Sequence, residues 1–188
     1  YHRIVTFLSV FDWTLHKGWD LLIPAFLEAF GSRANVRLVL KVWSSLGYSA
    51  EEIGRQAAQG AEIALGKGKW PDKRVRFLHD RLTPADLRAH YQSADCFVLP
   101  SRGEGWGRPL MEAMACGKPV IGTSWSGNTE YMSEANSYLL DFRLVPVPPA
   151  GWREVGHYKG HRWAEPRRDE LARLLRHVYE NREEAVAK

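Results

Sequence analysis

Short, almost wholly apolar runs separated by stretches of helical periodicity constrain this chain more than any other feature. Ile4–Phe11, Val36–Val42, Val75–Leu78, Cys96–Leu99 and Val120–Thr123 each read as strand, with a sixth near Tyr138–Asp141. These runs are too uniformly apolar to face water on one side. Such strands belong in a parallel sheet covered by helices on both faces. Between them, Trp19, Leu22, Ile23, Phe26, Leu27 and Phe30 recur at helical spacing. Ser49–Leu65 reads as a helix capped by Ser49, with Glu51 and Glu52 in its first turn. Thr83, Pro84 and Asp86 spell another helix start, and a further helix runs from near Pro109 to Gly117. A short helix is expected around Thr129–Ser133, and a last amphipathic one carries Leu171, Leu174, Leu175, Val178 and Tyr179. The prediction is an α/β fold, a Rossmann-like doubly wound parallel sheet of about six strands. Pro24 falls inside the first helix, where proline costs on the order of 3 kcal/mol unless the helix starts late or kinks.

The chain has 188 residues, enough for one domain with a real core, and reads as a single unit over 1–188. Residues 143–166, with Pro146, Pro148, Pro149 and Pro166 among them, read as an irregular surface excursion. No apolar run approaches the roughly 20 residues that span a bilayer. The net charge is +4, but 26 Lys and Arg are interleaved with 22 Asp and Glu, which leaves no stripe suited to nucleic acid. Cys96 and Cys116 sit in apolar contexts without metal-ligand spacing and read as small core residues of a protein from a reducing, cytoplasmic compartment. Tyr1-His-Arg-Ile-Val enters directly into a strand without a Met, so the chain is expected to be part of a larger protein.

Ligands on such sheets bind beyond the carboxyl ends of the strands. After the fourth strand comes Pro100-Ser-Arg-Gly-Glu-Gly-Trp-Gly-Arg-Pro-Leu-Met-Glu112, with Gly103, Gly105 and Gly107 ahead of a helix N-terminus. Glycines let backbone approach a ligand, and the helix start offers unpaired N–H groups, a suitable seat for a diphosphate or simply a turn. Glu104 and Glu112 bracket the loop; eight residues of helix would span about 12 Å, against the roughly 5 to 9.5 Å of a glycosidase pair, but the first part is loop and leaves their separation open. Contact with hydroxyls at two points of an extended ligand suits them better, and a solvated role stays open. Lys17, after the first strand, suits a phosphate as a point charge. Gly127-Asn128-Thr-Glu130 opens a short helix with exposed amides. Neither a dinucleotide fingerprint nor a Walker-type Gly-Lys-Ser/Thr is present.

Ser101-Arg-Gly-Glu-Gly-Trp-Gly-Arg-Pro-Leu-Met-Glu-Ala-Met-Ala-Cys-Gly-Lys-Pro-Val-Ile-Gly-Thr123 resembles the Glu-x7-Glu signature region of retaining glycosyltransferase family 4. Lys17-Gly-Trp-Asp-Leu-Leu-Ile23 resembles that family's lysine turn, and Gly127-Asn-Thr-Glu130 takes the place of its Gly-Gly-x-Pro-Glu loop. The resemblance extends over essentially the whole chain. It implies the C-terminal, donor-binding half of a GT-B enzyme that moves a hexose from a nucleotide diphosphate sugar, such as a UDP- or GDP-hexose, to a hydroxyl acceptor. The reaction would proceed with retention and without metal or other cofactor. The N-terminal acceptor half would be missing here, leaving this chain inactive alone. The full-length enzyme would be cytoplasmic, with peripheral attachment to the inner membrane face open. Glu104 and Lys17 would be catalytic: Glu104 on donor-sugar hydroxyls, Lys17 on the departing diphosphate. Gly105, Trp106, Gly107, Arg108, Pro109 and Leu110 would hold sugar and diphosphate, together with Gly127 and Asn128. Glu112 would accept from the ribose hydroxyls, and the loop at Arg81 and Leu82 would lie near the nucleobase.

One position departs from the family. Five residues before its lysine the family carries Arg or Lys, but here the residue is Asp12, preceded by Phe11 in place of Gly. A carboxylate beside a diphosphate is repulsive. Asp12 either points away while Arg108 or Arg81 supplies the charge, or donor binding is weakened. Two rival readings stay open: a sugar phosphorylase or nucleotide-sugar epimerase on the same fold, and a non-catalytic domain whose donor site has decayed.

Overall fold

The computed structural model describes residues 3–33, 35–66, 68 and 70–188. Tyr1 and His2, which open the chain, lie outside the described residues. β1 (Val5–Asp12), β2 (Val36–Trp43), β3 (Val75–Leu78), β4 (Cys96–Leu99), β5 (Val120–Thr123) and β6 (Tyr138–Leu140) form one sheet. Its order is β3-β2-β1-β4-β5-β6, and every pairing is parallel. The chain first builds outward from β1 through β2 and β3 on one side, then returns to its other side at β4, so the direction of building reverses between β3 and β4. Phe7, Leu38, Leu40, Phe97, Val98, Val120 and Ile121 have no exposed surface, as strands covered on both faces require.

The helices are α1 (Trp19–Phe30), α2 (Ala50–Leu65), α3 (Pro84–Ser93), α4 (Arg108–Ala115), α5 (Pro149–Glu154), α6 (Arg168–Glu180) and α7 (Arg182–Ala187). Ser49 and Thr83 each close a full capping box, with Glu52 and Asp86 returning to the cap N–H. Reciprocal caps stabilise helix starts by about 1 kcal/mol each. α1 continues through Pro24, which lies buried. The ring removes one hydrogen bond, and a helix whose Leu22, Ile23, Ala25, Phe26 and Phe30 are all buried offsets that loss by packing.

Two expectations are corrected. The turn expected as a helix around Thr129–Ser133 is a single 3-10 turn at Gly127–Glu130. Residues 143–166, expected to be irregular, form an antiparallel hairpin of β7 (Phe142–Pro146) and β8 (Arg162–Pro166). Between its strands lie α5 and a 3-10 turn at Gly156–Tyr158. Prolines sit at strand ends and at the first position of α5, where no N–H is needed, so a proline-rich composition is compatible with order. Trp163 and Ala164 are buried, so the segment packs inward on one side.

Candidate functional site

The crevice lies where β1 and β4 run side by side and the chain leaves them toward opposite edges of the sheet. Two loops meet there. Gly18 has a φ of 74°, and a Cβ on it would lie 2.1 Å from the Pro100 carbonyl oxygen. The loop after β1 therefore touches the loop after β4 backbone to backbone. A 3-10 turn at Leu15–Lys17 directs Lys17 across the gap, where Nζ donates to both Glu104 oxygens at 2.8 and 2.9 Å. The Glu104 side chain is only 7% exposed and that of Lys17 21%. The pair is thus shielded on one side and reachable from the other.

Glu104 is fixed through its backbone as well. The Ser126 hydroxyl donates to its carbonyl at 2.6 Å and accepts its N–H at 2.8 Å, using both capacities of one oxygen. The Gly127 N–H donates to the same carbonyl at 2.9 Å. A Cβ on Gly127 would lie 2.1 Å from the Gly105 oxygen, so no side chain fits between the two loops. Asn128 is buried, its Nδ2 donating to the Thr123 carbonyl at 2.8 Å. Its Oδ1 has no partner among the described residues.

Further along, Gly105 is exposed with open space where a Cβ would be. Trp106 is exposed, and its ring lies 5.4 Å from that of Tyr131. The Tyr131 hydroxyl is within donating distance of the Trp106 and Gly107 carbonyls at 2.8 and 2.7 Å. Burial, aided by the nearby Glu104 charge, pushes this phenol up to about 12. Arg108 and Pro109 are the first two residues of α4, Arg108 exposed. Leu110 is fully buried and can offer a ligand only backbone. Glu112 accepts the Tyr91 hydroxyl at 2.9 Å. Burial and this carboxylate push the Tyr91 phenol up, so it stays a donor.

Asp12 faces away from this pair. Its carboxylate accepts the Ser45 N–H at 2.8 Å and also the Ser45 hydroxyl, so it closes the turn that follows β2. Arg81 and Leu82 line a separate cavity of about 390 Å³ with Val10, Lys41, Trp43 and Leu87. Lys41, which the sequence reading passed over, is 7% exposed, and burial lowers its pKa. The signal for it was a lysine within the apolar run Val36–Trp43.

His16, Arg102 and Tyr158 were also missed. Burial, with the charges of Lys17 and Arg102, lowers His16 to about 4, so the ring is neutral at neutral pH. It packs 5.5 Å from the Tyr158 ring. Arg102 is 4% exposed and pairs with Asp20 at 2.8 Å and Glu165 at 2.6 Å. Burial opposes its charge, but hydrogen bonds to Glu165 and Asp20 outweigh it and raise the pKa. Nothing in the local sequence pairs Arg102 with residues up to 82 positions before it and 63 after it. Among the described residues no group of three His, Cys, Asp or Glu side chains is placed to hold a metal.

A shielded Lys–Glu pair and a helix N-terminus thus share one backbone crevice at the carboxyl ends of β1 and β4 in an α/β domain. The family model for glycosyl transferases group 1 matches residues 2–146. This chain belongs to that family. It is 41% identical over 141 residues to a D-inositol 3-phosphate glycosyltransferase of Corynebacterium efficiens, covering 74% of this chain and 30% of that protein. The Corynebacterium glutamicum protein of the same name is 36% identical over 161 residues, 85% of this chain and 32% of its own length. The chain thus spans about a third of the curated relatives it matches. Among solved structures, Anabaena HepE in complex with UDP and glucose superimposes with a TM-score of 0.68 at 20% identity, over 98% of this chain and 41% of that one. The C-terminal domain of a group 1 glycosyl transferase from Francisella tularensis gives 0.67 at 18% identity, over 98% and 83%. The fold is therefore that of a GT-B C-terminal domain.

Proposed function

We propose that this domain binds the donor of a metal-independent, retaining hexosyltransferase, a nucleotide diphosphate sugar. The observation that carries this reading is the Lys17–Glu104 pair beyond the carboxyl ends of β1 and β4, beside the start of α4. Without ligand, each charge satisfies the other. With donor present, Lys17 turns to the diphosphate and Glu104 to the sugar hydroxyls. Lys17 and the amides at the start of α4 then stabilise the negative charge that develops as the glycosidic bond breaks. Gly105, Trp106 and Gly107 supply backbone that approaches the sugar, and Gly127 and Asn128 close the opposite wall. Glu112, held by Tyr91, accepts from the ribose, while the base lies at the cavity of Arg81 and Leu82. With Asp12 bound to Ser45, Arg108 or Arg81 supplies the second cation.

The Corynebacterium relatives, named for transfer to D-inositol 3-phosphate, support hexose transfer, and the HepE complex with UDP supports a UDP-sugar donor. Acceptor binding would lie outside these residues, so this chain alone binds donor without turnover. A cytoplasmic site of action is part of the same reading; no helix of the described residues is long and apolar enough to cross a membrane.

Calorimetric titration with UDP, GDP and ADP tests the proposal. Saturable binding of one of them, lost in Glu112→Ala, is the expected result and names the base. No binding of any at millimolar concentration overturns it.

A further inference from the structure

The turn that carries Lys17 has little of its own to hold it: three residues of 3-10 helix with two local bonds, Lys17 N–H to the Thr14 carbonyl and Gly18 N–H to the Leu15 carbonyl, each at 3.0 Å. Its remaining anchors come from far along the chain. The Leu15 N–H donates to Glu154 Oε2, at the end of α5, at 2.7 Å. The Leu15 carbonyl accepts from the Arg102 guanidinium, and the His16 carbonyl accepts the Arg102 N–H at 2.8 Å. The His16 ring packs on Tyr158. Arg102 is itself set by the hairpin: two bonds to Glu165 at 2.6 and 2.8 Å, its guanidinium 4.7 Å over the Trp163 ring, and its carbonyl accepting the Ala164 N–H at 3.1 Å. α5 lies hard against the same tryptophan, since a Cβ on Gly151 would be 2.8 Å from that ring.

We propose that residues 142–166 act as a clamp whose Glu154, Tyr158 and Arg102-bound β8 fix the Leu15–Lys17 turn, and that diphosphate affinity depends on this clamp. Glu154, Tyr158, Trp163 and Glu165 lie beyond residue 146, where the family match ends. They are positioning residues, acting through the backbone of Leu15 and His16. The link to diphosphate rests on the donor reading above; the clamp itself does not.

The test uses the chain with Glu154→Leu, which removes the acceptor for Leu15 N–H, and Glu154→Gln, whose carbonyl retains it. Amide hydrogen exchange over Trp13–Trp19 is followed by mass spectrometry in the ligand-free proteins. Affinity for whichever of UDP, GDP or ADP binds best is then measured against the matching monophosphate. In Glu154→Leu, exchange of the turn should rise about tenfold while β4 and β5 stay protected. Diphosphate affinity should fall about tenfold and monophosphate affinity much less. Glu154→Gln should restore both. A merely structural role for Glu154 would lower the melting temperature without separating diphosphate from monophosphate. Should Glu154→Leu fail to fold, Tyr158→Ala, at a half-buried ring, reads the same exchange. Unchanged exchange overturns the clamp. Faster exchange with unchanged diphosphate affinity overturns its link to the ligand. Absence of nucleotide binding by the wild-type chain counts against the donor reading alone, and the exchange result still decides the clamp.

Discussion

Lys17 and Glu104 neutralise each other in a site open on one side, so each is costly to remove singly. Lys17→Met leaves a carboxylate that is 7% exposed without its cation. It should destabilise the fold by about 1–3 kcal/mol and weaken nucleoside diphosphate binding about 10- to 100-fold. Adding Glu104→Gln should return the melting temperature toward wild type without returning affinity. Recovery of both in the double variant would remove Lys17 from the ligand. Beside them, His16 makes stability depend on pH. The unfolded chain takes up the imidazole proton near the ordinary histidine value of 6.5, but the folded one only near 4. The folded pKa is the lower, so stability falls as pH falls from about 6.5 to about 4 and is intact above that window. The loss is on the order of 2 kcal/mol once screening of a half-buried ring is allowed for. Urea denaturation of wild type and His16→Gln at pH 7 and 4.5 checks it: the variant should lose less over that interval.

At the scale of elements, the site is a contact of three loops, and its glycines differ in what they permit. Gly127→Ala drives a Cβ into the Gly105 carbonyl at 2.1 Å, so the turn at Gly127–Glu130 and the loop before α4 must part. A cost of about 2–3 kcal/mol is expected, along with loss of nucleotide binding. Gly105→Ala meets nothing within 4 Å and should fold as wild type. If the donor approaches this backbone, Gly105→Ala should nonetheless weaken donor binding. Thermal denaturation and nucleotide titration of the two variants separate a glycine needed by the fold from one needed by the ligand.

For the whole molecule, Arg102 is the junction. It joins the turn after β1, α1 through Asp20 and β8 through Glu165. Removing a buried cation strands two carboxylates, and Arg102→Met should cost about 3–5 kcal/mol. Arg102→Lys should also fall well short of wild type, because an ammonium cannot form the paired bonds that reach both Asp20 and Glu165. Chemical denaturation measures both. A lysine variant of wild-type stability would show that charge alone suffices at this junction.

The sheet was legible in the chain because its signals are local. Val75–Leu78, Cys96–Leu99 and Val120–Thr123 are mostly apolar runs bounded by polar residues and proline, and their ends coincide with the strands. Ser49 and Thr83 cap helices through partners three residues away. Lys17 and Glu104 were each visible as charged residues in loops entering helices, since parallel topology puts all such loops at one end of the sheet. Their pairing across 87 residues was not visible. Three things only the tertiary structure decided. Asp12 spends its charge on Ser45, a partner 33 residues on that no pattern links to it. Residues 142–166 form a hairpin, because proline and glycine report local backbone freedom and not the inward packing of Trp163 that orders the segment. Arg102 becomes a buried cation because Asp20 and Glu165 converge on it from opposite ends of the chain. Periodicity and caps are written within a few residues of where they act, whereas charge compensation depends on which distant segments meet, and that is settled only when the sheet closes.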